Sequence, residues 1–344
     1  GSYSFTQSST LANPDLTWEK KVKSQIGFES ILFDGKVTLD VDYFSDNTKN
    51  LFFNQSLPGS SGSTIIQYND GILLNSGIEI NTNISLVQTE DFSMSLNVNG
   101  SKLYNELVEM PTDYFTGEDK ILDGNRSAGK SLYDFYMREW AGVNPATGQA
   151  MYNLYYDDMN NDGIFNSGDS AINSMTLYMD EFPGANVQKT TTETYSDATQ
   201  KYVGKNNQPD FAGGFRLNAA YKNFDISAQF TYSIGGYVYD NGYRTVMNNR
   251  SLAGSDNFHT DVRNAWKQPG DITNVPRLSA GYNTDVQHNS TSTRFLTKAD
   301  YLSLNNVRLG YTLPSDAVSK AKLENVSFYV SGDNLMMLSA RKGL

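Results

Sequence analysis

KKVKSQIGFESILFDGKVTLDVDYF, residues 20–44, holds two alternating runs around one turn signal. Val22, Ile26, Phe28 and Leu32 share one parity, and Lys21, Lys23, Gln25 and Glu29 take the other. Past the turn, Val37, Leu39, Val41 and Tyr43 lie opposite Lys36, Thr38, Asp40 and Asp42. A period of two puts alternate side chains on opposite faces of a strand. In a helix the same pattern would scatter the apolar groups around the axis. Asp34-Gly35 predicts a two-residue type I′ hairpin turn, because glycine accepts the positive φ that the turn requires.

The design recurs along the chain. Ile72, Leu74, Ile78, Ile80, Ile84 and Leu86 lead through Thr89-Glu90-Asp91 to Phe92, Met94, Leu96 and Val98. Phe215, Leu217, Ala219 and Tyr221 lead through Lys222-Asn223 to Phe224, Ile226, Ala228 and Phe230. A looser fourth pair runs from 297–313, past Pro314, to Val326, Phe328 and Val330. Several strands reach ten residues or more, against about five or six in ordinary globular proteins. About 9–11 tilted residues cross a membrane in a β-barrel.

Alternation alone suits a barrel or a sandwich, and the connections separate them. Links near 34, 90, 222 and 314–324 are short. Those near 54–71, 105–208 and 238–294 are long. An up-and-down barrel alternates tight periplasmic turns with large outer loops in this way, whereas ordinary loops have a median of about 4–6 residues. The expected fold is therefore all-β, part of a large antiparallel transmembrane barrel with about eight strands in this sequence. The alternative is a secreted, calcium-stabilised β-sandwich that binds glycans.

Composition agrees with a divided surface. The chain is 38% hydrophobic yet 12% aromatic, too aromatic for a disordered segment. The net charge of −11 repels phosphate backbones and argues against nucleic-acid binding. Cysteine is absent, so thiol and disulfide chemistry are excluded. No apolar run approaches the length of a transmembrane helix.

Several blocks then carry a family resemblance. They are ANPDLTWEK (12–20), GKSLYDFYMREWAGVNPATGQAMY (129–152), YYDDMNNDGIFNSGD (155–169), QPDFAGGFRLNAAYKNFDISAQFTYSIGGYVYD (208–240), WKQPGDITNVPRLS (266–279), STRFLTKADYLSLNNVRLGYTLP (292–314) and YVSGDNLMML (329–338). In this order they resemble the C-terminal part of SusC/RagA-type TonB-dependent outer-membrane transporters of the Bacteroidetes. The resemblance covers residue 11 to the end. It implies a barrel of about 22 strands around a plug, with 105–208 and 238–294 as extracellular loops. It leaves the plug, the TonB-contacting segment, the signal peptide and one last strand outside this sequence. It also implies import of an oligosaccharide or a peptide, a SusD-like lipoprotein on the outer face, TonB on the inner one, and lipid around the wall. No enzyme activity and no required cofactor are expected, and no residue is assigned to cargo.

One stretch has ligand spacing of its own. Asp158, Asn160 and Asp162 fill positions 1, 3 and 5 of a twelve-residue calcium loop. Gly163 supplies the sharp turn, Ile164 a backbone carbonyl, and Asp169 stands where a bidentate Glu is usual. The flanks are aromatic and strand-like, so a structural calcium bracing a long loop is expected rather than a sensor. The competing reading is a metal-free Asn/Asp/Gly turn.

Other motifs are weaker. GNRSAGKS (124–131) matches a phosphate-binding loop but lacks the strand before it and the helix after it. His259 and His288 have no partner at recognisable spacing and read as surface residues. Tyr43, Phe44, Phe52, Phe53, Tyr221, Phe224, Tyr232 and Tyr237 fall near expected strand ends and suggest interface girdles. Trp140, Tyr152, Tyr155 and Tyr156 lie in the long excursion, where packing is favoured over stacking on sugars.

Overall fold

The computed structural model describes residues 10–57, 60, 62, 63, 65–111, 121, 126–247, 257–278, 289–320 and 322–341. Eight strands form its main sheet: β1 (Lys20–Leu32), β2 (Val37–Lys49), β3 (Ile72–Gln88), β4 (Phe92–Glu109), β5 (Phe211–Tyr221), β6 (Phe224–Ile234), β7 (Tyr301–Thr312) and β8 (Ser327–Ser339). Each pairs antiparallel with its neighbour in sequence, so the sheet is a meander from β1 to β8. Among the described residues no helix is long and apolar enough to cross a membrane.

The turns follow from local chemistry. Asp34 (φ 55°) and Gly35 (φ 84°) both take positive φ, and the Lys36 amide donates to the Phe33 carbonyl at 3.2 Å, as a type I′ turn demands. Thr89 closes the β3–β4 turn, with its hydroxyl accepting from the Phe92 amide at 3.0 Å. Tyr221 and Phe224 pair directly around Lys222-Asn223. The β7–β8 link, expected to be short, instead contains the helical turn Ser315–Ser319, anchored by buried Val318.

Register makes the sheet two-faced. One line of directly opposed residues reads Phe28, Val41, Ile80, Gly100, Gly213, Tyr232, Leu302 and Leu338 across all eight strands. A line on the other face reads Thr38, Asn83, Asn97, Arg216, Gln229, Asn306 and Asp333. The apolar side is uncovered: Ile26 is 71% exposed, Phe28 61%, Ile226 46% and Val330 67%. Leu107 is the single buried large apolar residue of the eight strands. Ile26, Leu39, Ile80, Leu96 and Ile226 belong to no buried core. Among the described residues no second sheet packs on this face, so the sandwich alternative has no support.

The apolar band is bounded at the short-turn end by aromatics. Phe92, Tyr221, Phe224, Tyr311 and Phe328 form a directly paired row over five strands. Rings of this kind sit at the headgroup level of a bilayer. Two residues expected in such a girdle are elsewhere. Phe53 is buried against Leu107 and Met110, and Phe44, opposite Gln25, lies on the polar face. Gly100 and Gly213 face each other because the sheet closes tightly there; a Cβ at Gly213 would lie 2.1 Å from the Asn99 carbonyl oxygen.

Between the hairpins the chain leaves the sheet over 50–71, 110–210 and 235–300, all from the end opposite the short turns. The first and last of these begin slightly earlier than the alternation suggests, whereas β4 runs on to Glu109.

Candidate functional site

The long connections hold the protein's dry cores and its candidate sites. In the segment 110–210, strand Ala150–Asp157 pairs with Trp140–Val143, Ser170–Ile172 and Val187–Thr192. Its alternate residues Ala150, Tyr152, Leu154 and Tyr156 are buried. Tyr152 is fully enclosed, edge-on to Trp140 at 5.5 Å and to Tyr195 at 5.1 Å. Burial pushes its hydroxyl pKa well up, so it stays protonated. The tyrosines and Trp140 thus pack the loop on itself.

A second core, Met247, Ala265, Val275 and Phe295, sits in 235–300. The two excursions clasp each other. Trp140 Nε1 donates to Asn274 Oδ1 at 2.8 Å, Trp266 Nε1 to the Pro145 carbonyl at 2.9 Å, and the Tyr195 hydroxyl to the Thr291 carbonyl at 2.8 Å. The Arg294 guanidinium lies 4.7 Å from the Trp140 ring. Burial pulls the Arg294 pKa down to about 10, which leaves it charged at neutral pH. Glu139 accepts from Asn153 Nδ2 and the Tyr155 hydroxyl, with Lys201 3.8 Å away. Burial alone would raise its pKa; these hydrogen bonds and the charges of Lys201 and Lys189 outweigh that and hold it below the usual range.

The acidic loop projects from the end of strand Ala150–Asp157. Asp158, 2% exposed, accepts from the Asp162 amide at 3.1 Å and the Gly163 amide at 2.9 Å. Gly163 has φ 74°, a conformation that favours glycine. Asn160 Oδ1 accepts from the Asp162 amide, and Asn186 ties the loop to the next strand through Asn161. Ligand oxygens of Asp158, Asp162 and Asp169 lie within 4.8 Å of one another. Ca–O distances are about 2.3–2.6 Å, so oxygens across one calcium ion can be about 5 Å apart. Asp169 Oδ1 is buried without a hydrogen-bond partner among the described residues, whereas Oδ2 accepts from the Asn166 amide. The Ile164 carbonyl accepts from Asn166 Nδ2 and keeps a second lone pair. Carboxylate oxygens of Asp158, Asp162 and Asp169 are therefore close enough together to reach one hard cation, and Asn160 and the Ile164 carbonyl belong to the same small loop.

The remaining motifs are placed differently. The described part of 124–131 turns at Ala128-Gly129, Leu107 bridges to Lys130, and a strand, Asp134–Arg138, follows where a nucleotide loop needs a helix. Lys130 rests over the Tyr202 ring. His259 accepts at Nδ1 from the Asp261 amide, while His288 lies outside the described residues. On the polar sheet face, Gln25 donates to Asp42 at 3.1 Å, Asn81 to Asp40 at 3.3 Å, and Asn218 to Asn97 at 3.2 Å. Arg216 donates to Gln229. The alternation identified these groups; the contacts between the two long loops carry no sequence signal.

An antiparallel meander with an uncovered apolar outer face, an aromatic boundary and a polar inner face defines a segment of an outer-membrane β-barrel. No family model matches the chain. It is 29% identical to TonB-dependent receptor P3 of Formosa agariphila over 97% of this chain and 31% of that protein. It is 26% identical to TonB-dependent receptor P39 of the same organism, over 97% and 33%. Among solved structures, "Structure of the RagAB peptide transporter" aligns with a TM-score of 0.69 at 23% identity, over 97% of this chain and 33% of that one. The same importer in its "open-open" state aligns at 0.70 and 24%. Over nearly its whole length the chain is thus similar to one stretch of TonB-dependent receptors, and its fold matches part of the RagAB structures. It spans about a third of the length of the curated relatives it matches.

Proposed function

We propose that this chain forms part of the wall and outer cap of a TonB-dependent importer of a large nutrient, an oligosaccharide or a peptide. The observation that carries this reading is the inside-out sheet: its apolar side chains are exposed on one face, and its hydrogen-bonded polar groups line the other. The relatives' names support energised uptake, and the RagAB titles support peptide as one cargo class and a partner protein on the complex. The partner in this reading is a SusD-like lipoprotein on the cap. No bond of the cargo is made or broken.

The test uses the intact transporter in its host. Uptake of a labelled peptide mixture and a labelled oligosaccharide pool is followed with TonB present and deleted. Uptake of one pool should fall to background without TonB. Equal uptake of both pools in the two strains would defeat the proposal.

We further propose that Asp158, Asn160, Asp162, the Ile164 carbonyl and Asp169 hold a structural calcium ion that braces the cap. The buried Asp169 Oδ1, without a hydrogen-bond partner among the described residues, supports this reading. Chelation should raise protease cleavage within 157–170, and added calcium should reverse it. Asp158→Asn should show the cleaved pattern at any calcium level. Cleavage indifferent to calcium in the parent protein would establish the metal-free turn.

A further inference from the structure

The lipid-facing side of the sheet carries a facing pair of cations at the long-loop ends of β1 and β2. On β1, Lys20 shares the parity of Val22, Ile26 and Phe28; on β2, Lys49 shares that of Val41 and Tyr43. The register sets Lys20 directly opposite Lys49. Like charges in that arrangement destabilise a strand pair, yet both side chains are exposed and neither has an ion pair among the described residues. Glu19, the adjacent acid, accepts from the Phe52 amide instead. Glu109, reached from Lys49 across Ile72, is two strands away, roughly 10 Å. Lys102 has the same outward parity on β4, over the Tyr104 ring at 5.1 Å, and Trp18 beside Lys20 is 85% exposed.

The height of these groups is set by the strands. Lys20 and Lys49 sit at the strand ends opposite the Asp34-Gly35 turn, about 40 Å along β1 and β2. At a tilt of about 40° this is ~30 Å along the membrane normal, the thickness of a hydrocarbon core. The pair therefore lies at the headgroup level of the leaflet on the long-loop side, which in such barrels is the outer one.

We propose that Lys20 and Lys49 together bind a phosphate group of an anionic lipid of the outer leaflet. The anion relieves the repulsion between them, and the lipid's acyl chains continue onto the apolar band below. Trp18 flanks the headgroup as an interfacial ring. The inference rests on the membrane-spanning reading of the apolar face. Its readout is lipid binding, so a failure of nutrient import would not touch it.

Native mass spectrometry of the intact transporter tests it, with diphosphoryl lipid A and its dephosphorylated counterpart as probes. The parent protein should retain the phosphorylated lipid preferentially. Lys20→Gln with Lys49→Gln should weaken that retention by about ten-fold or more, given two charges at an anionic surface. Lys20→Arg with Lys49→Arg, and Lys21→Gln on the polar face, should leave it unchanged. Equal retention of the two lipids by the parent protein would overturn the proposal even if the double Gln variant failed to assemble. Unchanged retention in an assembled double Gln variant would overturn it as well. Displacement of the lipid by millimolar inorganic phosphate would assign the site to a free ion and overturn the lipid assignment.

Discussion

Leu217→Arg should block assembly of the barrel, while Asn218→Arg, one residue further on, should be tolerated. Leu217 is opposed by Leu96 and Ala228 on the uncovered apolar face, and Asn218 by Ser95 and Ser227 on the polar one. An arginine near the bilayer midplane of a barrel costs about 2–4 kcal/mol, against near zero on a hydrated face. Asn218→Arg loses the hydrogen bonds to Asn97 and, at 3.5 Å, to Ser95, a cost of about 1–2 kcal/mol. The measurement is the fraction of protein in the outer membrane that shows the heat-shifted gel mobility of a folded barrel. Equal fractions for the two variants would mean that the apolar face is not in lipid.

Tyr152→Ala should loosen the two long connections without unfolding the sheet. Tyr152 is fully buried between Trp140 and Tyr195, and truncating a core aromatic costs about 3–5 kcal/mol. The main sheet takes its order from other contacts, so the loss should stay local. Hydrogen exchange should rise in 140–157 and 187–200, and in 291–295, where the Tyr195 hydroxyl and the Trp140 amide hold the partner loop. Exchange in β4–β7 should be unchanged. Tyr152→Phe keeps the rings in place and should lose far less. Uniform exchange over both loops and strands would show that cap and wall unfold as one unit.

The wall was more legible in the sequence than the cap, for a physical reason. In β1 and β2 most residues from Val22 to Tyr43 keep one parity, with Ile31 as an exception, and the turn is set by Asp34-Gly35, so local pattern determines pairing. Elsewhere parity fails at register shifts. One falls near Leu86, between Ser85 and Val87, and another at Asn305, between Leu304 and Asn306. A one-residue slip moves the following side chains to the other face. Nothing in composition marks it. Phe44 and Phe53 show a related limit, because an aromatic near a strand end can face lipid, the interior or a loop core. In the cap, Ala150–Asp157 reads as a strand, but its neighbours lie up to about forty residues away. Trp140 meets Asn274 across 134 residues. Such contacts arise from shape, and period-two reasoning has no access to them. The Asp158–Asp169 spacing was visible at once, because the ligands of one small loop are fixed by its own backbone.

The division of labour between the two faces of the sheet has an evolutionary consequence. Anchoring depends on side chains that only need to be greasy, and strand order on the backbone ladder. The wet side therefore carries little of the burden of assembly, and residues such as Asn97, Arg216 and Gln229 can be exchanged with the scaffold left standing. A lineage of such walls can rewrite its wet surface at small risk to the architecture that holds it in place.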